Sequence, residues 1–324
     1  MAEVRFIKAV NQALKDAMAE DKRVFLLGED IGAAGGSFKA TRDLLDTFGP
    51  ERVYDTPIAE AAITGIAVGA ALSGMRPVAE IMFMDFMTLS MDMLVNQAAK
   101  ARSMFGGQGS VPMVLRTPHG GGLNAGPQHS QCLEAWLAHV PGLKVVCPSN
   151  PADAYGLLRA AIQDPDPVIV VENKALYAMR GDLPDEPEIA EIGKARIVRQ
   201  GSDATVVAYG AAVAMAESAA DTLAADNIQV EVIDLRSIQP WDEQTVLASL
   251  SRTHNLVIAH EAVEAFGVGA EIAARMADIG FDELDGPIVR VGAPFAPSPF
   301  GTSLEKAYRP DAEQIVSALR RTLA

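Results

Sequence analysis

The chain has 324 residues, of which 49% are hydrophobic and 21% charged, enough apolar material for one large or two ordinary globular domains. Its formal net charge is -15, and the acidic residues are dispersed rather than gathered into a tail. Such a surface argues against nucleic-acid backbones and anionic membranes as partners and leaves room for a basic protein partner.

Apolar positions at Phe6, Val10, Leu14 and Met18 predict a first helix, and Val24-Phe25-Leu26-Leu27 a buried strand ending in Gly28-Glu29-Asp30. A helix capped by Thr56, with Pro57 in its first turn, is expected to run to about Leu72. A strand over 78–84 and a helix over 88–103 follow, then a strand over 111–116 and a helix over 131–138. Strands over 143–146 and 168–171 flank a helix over 152–162. Between Gly181 and Gly193 the periodicity fades into Pro184, Pro187 and several carboxylates, which reads as a linker. The alternation then restarts, with strands over 205–208, 230–235, 256–259 and 288–291 and helices over 211–225, 267–277 and 312–323. Few aromatics, with alanine, glycine and valine dominant, suit parallel sheets buried on both faces. The expectation is an α/β chain of two doubly wound domains, 1–183 and 195–324, joined by a linker over 184–194.

The longest apolar stretch, 61–75, is too short to span a bilayer and is interrupted by Gly65, Gly69 and Gly74. Cys132 and Cys147 form no CxxC, and Met1-Ala2-Glu3-Val4 does not resemble a signal peptide, so a cytoplasmic location is expected. No GxxxxGK[ST] occurs, Gly120-Gly121-Gly122 departs from GxGxxG, and His260-Glu261 is not part of HExxH.

The most informative stretch is Asp55-Thr56-Pro57-Ile58-Ala59-Glu60-Ala61-Ala62-Ile63-Thr64-Gly65-Ile66-Ala67-Val68-Gly69. Glu60 sits at the start of the expected helix, and Gly65, Gly69 and Ser73 form a row of small residues at a spacing of four. Read by itself, this is either a helix-packing face with a first-turn acid favoured by the macrodipole, or a buried acid placed to meet a cofactor.

This segment resembles the pyrimidine-binding domain of the beta subunits of thiamin-diphosphate-dependent 2-oxo-acid and acetoin dehydrogenases. The resemblance extends through Leu27-Gly28-Glu29-Asp30, Ala98-Ala99-Lys100, Gln128-His129-Ser130-Gln131, Pro141-Gly142-Leu143-Lys144, Asp234-Leu235-Arg236 and Gly267-Val268-Gly269-Ala270-Glu271. It implies a thiamin-pyrimidine-binding domain followed by a transketolase C-terminal-like domain. It makes Glu60 the catalytic acid that hydrogen-bonds the aminopyrimidine, where a shared proton favours the imino form of the ring. Glu29 becomes a second acid near the cofactor, Phe86 the stacking aromatic, and Ile58 and Met82 further pyrimidine contacts. His129 becomes the catalytic histidine facing the substrate, a task that suits an imidazole near neutral pH. The other histidines, His119, His139, His254 and His260, read as structural or merely exposed.

A glycine–aspartate–glycine signature for magnesium and diphosphate is missing from the sequence. The resemblance therefore implies that an alpha subunit supplies that half, in an assembly of two alpha and two beta subunits that passes its product to a lipoyl acyltransferase. It also implies a structural potassium ion held by carbonyl oxygens of Met113, Ala161, Asp164 and Asp166. The substrate is expected to be a small carbonyl compound. Glu80 to Phe86, Met104-Phe105-Gly106-Gly107 and Val114-Leu115-Arg116-Thr117 resemble the acetoin enzymes and Glu134-Ala135-Trp136 the pyruvate enzymes, which places acetoin slightly ahead of pyruvate. A carboligase without a lipoyl partner and a non-catalytic assembly subunit are the rival readings.

Overall fold

The computed structural model describes residues 2–324 and divides into two units. One contains the residues up to His119 together with Trp136–Ile192, and the other contains Gly120–Ala135 and Gly193–Ala324.

In the first unit β1 (Ala2–Arg5) leads into α1 (Phe6–Glu20), β2 (Val24–Gly28), α2 (Leu44–Phe48), β3 (Val53–Asp55), α3 (Glu60–Leu72) and β4 (Arg76–Glu80). After β4 come a 3-10 segment (Met84–Ser90), a π-helical turn (Met93–Ala98) and α4 (Ala99–Met104). β5 (Val114–His119), α5 (Glu134–Ala138), β6 (Lys144–Val146), α6 (Pro151–Gln163), β7 (Val168–Asn173) and β8 (Arg180–Leu183) complete the series, and the boundary between the units falls inside α5. Six of these strands lie in the order β6-β7-β5-β4-β2-β3, every neighbouring pair parallel. β2, β5 and β7 are buried along their whole length, as apolar strands covered on both faces must be. Their carboxyl ends form the edge where ligands bind in sheets of this kind.

Three local expectations are corrected here. Thr56 does not cap the third helix: its N–H donates to the Gly28 carbonyl (3.0 Å), and the helix starts only at Glu60 behind Ala59. Residues 88–103 are not one helix but the end of the 3-10 segment, the π turn and most of α4. The first residues after Arg180 are not linker but strand, pairing antiparallel with β1 from Ala2↔Leu183 to Arg5↔Arg180.

The second unit runs β9 (Arg196–Arg199), β10 (Ala204–Ala208), α7 (Ala212–Ala224), β11 (Val230–Asp234), β12 (Ser237–Gln239), α8 (Glu243–Thr253), β13 (Leu256–Val263), α9 (Val268–Ile279), β14 (Val289–Ala293), α10 (Thr302–Tyr308) and α11 (Ala312–Thr322). Its sheet has the order β14-β13-β10-β11-β9, parallel except for the antiparallel edge strand β9. Ala212, Ala216, Ala219 and Ala220 on α7 and Ile315, Ala318 and Leu319 on α11 share a core with Val206, Val232 and Val257 of the strands. Residues 120–135, expected within the first domain, group instead with this unit. Polar anchoring explains the departure: Gly121 N–H donates to Glu261 Oε1 (2.7 Å) and Tyr209 OH to Glu134 Oε1 (2.8 Å). Gly122 and Asn124 donate their N–H groups to the Glu305 carboxylate.

Among the described residues no helix is long and apolar enough to cross a membrane.

Candidate active site

Glu60 opens α3 and is only 5% exposed, although a first-turn acid usually faces water. Its backbone carbonyl accepts from Ser90 Oγ (3.0 Å), and Thr64 Oγ1, 3.0 Å from the same carbonyl, donates to Ser90 Oγ (2.7 Å). Those bonds fasten the start of α3 to the 3-10 segment that carries Phe86, so the expected acid and the expected aromatic stand on elements tied together. Gly65 gives the same contact its closeness, because a Cβ there would lie 3.3 Å from Met93 Sδ. Gly69, by contrast, has nothing within 4 Å of a built Cβ, so the small-residue row packs tightly only at its first member.

Glu29, just past β2, is 7% exposed, and its Oε1 is buried with no hydrogen-bond partner. Burial, and then the neighbouring charges of Glu60 and Asp30, push its carboxyl above the usual range. Two buried acids thus face one another electrostatically at the carboxyl end of the sheet. Met82 and Phe86 are half-buried, and Phe86 meets Phe83 edge-on at 5.9 Å. Ile58 is 83% exposed and projects from the surface. A dry acid with a second acid behind it and a half-exposed ring nearby fits an aminopyrimidine, which needs one shared proton and one face to stack on.

His129 belongs to the second unit, half-buried, its N–H donating to the Gly126 carbonyl (3.3 Å). Its loop is the one clamped by Glu261 and Glu305. Among the other histidines, His119 is buried against Cys147 Sγ (3.8 Å) and His254 Nδ1 pairs with the Glu283 carbonyl (2.9 Å). His260 is fully buried near Tyr209, and burial pushes its pKa down.

Of the proposed potassium ligands, Asp164 and Asp166 lie in the turn between α6 and β7, Ala161 in the last turn of α6, and Met113 just before β5. The Met113 carbonyl accepts from Val168 N–H (3.1 Å) and the Ala161 carbonyl from Asp164 N–H (3.3 Å). Arg76 Nη1 donates to the carbonyls of Ile162 (2.6 Å) and Asp164 (3.3 Å). Lys144 holds the Asp164 carboxylate (2.6 Å) and Arg102 that of Asp166 (2.6 Å). A carbonyl has two lone pairs, so a second acceptor site remains at the Met113 and Ala161 oxygens, which are of the hard donor type that suits potassium, while the Asp164 carbonyl already faces the Arg76 guanidinium.

Sequence reasoning overlooked a buried polar cluster under the same edge, made by Glu80, Arg116, Glu172 and Tyr177. A signal was available: Val78-Ala79-Glu80, Val114-Leu115-Arg116 and Val170-Val171-Glu172 each end an apolar run on a charge.

Residues 2–180 match the family model described as transketolase, pyrimidine binding domain, and residues 193–315 match transketolase, C-terminal domain. Fold and site together therefore define a transketolase-like α/β protein. The pyruvate dehydrogenase E1 component subunit beta-2, mitochondrial, of Oryza sativa subsp. japonica is 46% identical over 323 residues, covering 98% of this chain and 86% of its own. The acetoin:2,6-dichlorophenolindophenol oxidoreductase subunit beta of Bacillus subtilis is 46% identical over 321 residues, covering 95% and 94%. The 2-oxoisovalerate dehydrogenase subunit beta of the same organism is 41% identical over 322 residues, covering 99% and 98%. A solved structure described as split gene transketolase, inactive beta4 tetramer, superposes with a TM-score of 0.80 at 25% identity, covering 99% and 98% of the two chains. The chain belongs to the family of dehydrogenase E1 beta subunits, oxidoreductases that act on oxo groups.

Proposed function

We propose that this chain supplies the pyrimidine-binding half of a thiamin diphosphate site in a heteromeric 2-oxo-acid or acetoin dehydrogenase. The observation that carries the reading is the Glu60 carboxyl, buried at the start of α3 beside a second buried acid, Glu29, whose carboxyl is pushed above the usual range. When bound, thiamin diphosphate supplies an acidic thiazolium carbon and an electron sink for cleaving the bond beside a carbonyl. Glu60 shares a proton with the pyrimidine ring nitrogen. Glu29 stands beside it, its carboxyl pushed above the usual range by burial and then by the charges of Glu60 and Asp30. Phe86 offers a ring face, Met82 and Ile58 offer apolar contacts, and the site excludes water around the acid. His129 donates or accepts a proton at the substrate.

The magnesium–diphosphate half comes from an alpha subunit, in an assembly of two alpha and two beta subunits. The neighbour described as a split gene transketolase, an inactive beta4 tetramer, is in keeping with that division. A lipoyl acyltransferase takes up the acyl unit. Met113, Ala161, Asp164 and Asp166 hold potassium through their carbonyls, and the protein works in the cytoplasm. The substrate is a small two- to four-carbon carbonyl compound, with acetoin ahead of pyruvate.

Co-expression with the genomic alpha partner tests the proposal. The pair should oxidise its substrate with an artificial electron acceptor, and kcat/KM for acetoin, pyruvate and 3-methyl-2-oxobutanoate ranks the candidates. A clear preference for the branched-chain acid contradicts the substrate assignment. Thiamin-dependent turnover by the isolated chain contradicts the division of the site between subunits.

A further inference from the structure

Beneath the expected pyrimidine contacts, three adjacent strands of the first unit carry a closed set of buried charges. Arg116, 2% exposed on β5, donates from Nη1 to Glu80 Oε2 at the end of β4 (2.7 Å). Its Nε and Nη2 reach both oxygens of Glu172 on β7 (2.7 and 2.8 Å), a bidentate pairing, and Tyr177 OH donates to the same carboxylate (2.8 Å). The Arg116 carbonyl accepts from Ile81 N–H (3.0 Å), so the backbone that leads into Met82 leaves the sheet at this residue. Buried ion clusters add little net stability compared with apolar packing, but they fix geometry, because each partner has few alternatives.

A chain of rings carries that geometry outward. Tyr177 lies 5.0 Å from Phe38, Phe38 meets Phe83 at 5.9 Å and 82°, and Phe83 meets Phe86 at 5.9 Å and 88°. Lys174 Nζ sits 5.4 Å from the centre of the Phe83 ring on its face. Phe83 is therefore gripped on one side by a ring and a cation that belong to the buried cluster's neighbourhood, and on the other it sets the Phe86 ring.

We infer that Arg116, Tyr177 and Phe83 are positioning residues for the cofactor, with Phe83 transmitting the fixed geometry of the Arg116 cluster to the Phe86 ring that stacks on the pyrimidine. The inference rests on the reading of Phe86 as the stacking aromatic. A positioning role predicts a change in cofactor affinity that stability alone does not produce.

The test uses the assembled alpha–beta enzyme and calorimetric titration with thiamin diphosphate, alongside kcat at saturating cofactor and thermal melting. Phe83→Leu should weaken cofactor binding roughly three- to tenfold, the range of one or two edge-to-face ring contacts, with saturated kcat within about twofold of wild type. Phe83→Tyr keeps the ring and should restore the affinity. Tyr177→Phe, which keeps its ring and loses only the bond to Glu172, should weaken binding about twofold and serves if Phe83→Leu fails to assemble. Unchanged affinity in Phe83→Leu and Tyr177→Phe, with a clear loss in Phe86→Ala, overturns the inference. If Phe86→Ala also binds normally, the stacking assignment falls and this inference falls with it.

Discussion

Replacing Glu305 by alanine tests how the loop that leads to His129 is held. Glu305 lies in α10, 4% exposed, and its carboxylate accepts the Gly122 N–H at 3.0 Å and the Asn124 N–H at 3.2 and 3.0 Å. The substitution orphans two backbone donors. A hydrogen bond to a charged acceptor contributes about 1.5–3 kcal/mol, and Gly122 and Asn124 are exposed enough for water to replace part of it, so the lower figure applies to each. The sum is about 3 kcal/mol, or ~6–12 °C in melting temperature for a unit of this size. Glu305→Gln keeps one acceptor oxygen and should lose about half as much. Thermal melting followed by circular dichroism reads the effect, and kcat of the alpha–beta enzyme should fall with it, because the same loop carries His129. An alanine variant that melts within ~1 °C of wild type refutes the clamp.

His129→Ala should depress substrate processing or lipoyl acylation far more than thiamin diphosphate affinity; a steep loss of affinity with normal turnover of the bound cofactor contradicts the role. Glu29 has a raised carboxyl pKa, so it adds stability at low pH and loses it as pH rises through the raised value. Glu29→Gln should therefore melt above wild type at about pH 8 and level with it at about pH 4, and an equal difference at both would show that ionisation is not the cause. Potassium buffers should raise the melting temperature above sodium buffers, an effect that Asp166→Ala leaves intact if carbonyl oxygens are the ligands.

The strands were legible because continuous apolar runs such as Val24-Phe25-Leu26-Leu27 have no other stable place than a covered sheet. β1 and β8 were not, since each is only four residues long and Glu3, Arg5, Arg180 and Asp182 occupy one face, leaving little more than Val4 and Leu183 as an apolar signal on the other. α8 escaped notice although its signal was present: Asp242 accepts from Thr245 N–H (3.2 Å), and Val246 and Leu250 follow at helical spacing. The Thr56 cap misled because the Thr56 N–H is bound to the Gly28 carbonyl and its Oγ1 caps nothing, the helix starting only four residues later at Glu60. The grouping of residues 120–135 with the second unit depends on Glu261 and Glu305, more than a hundred residues away in sequence, and no local pattern announces such partners. At the site, the Glu60 segment stood out through family resemblance. The Arg116 cluster did not, because its members come together only once the strands are in register.

The most direct test of the central claim is the rate of hydrogen–deuterium exchange at the thiazolium carbon of thiamin diphosphate bound to the alpha–beta enzyme carrying Glu60→Gln. The change preserves size and removes the ionisable acid, so the fold and assembly should persist. Exchange slowed by several orders of magnitude is the expected result, and a rate close to that of the wild-type enzyme contradicts the assignment of Glu60 as the acid that drives the cofactor.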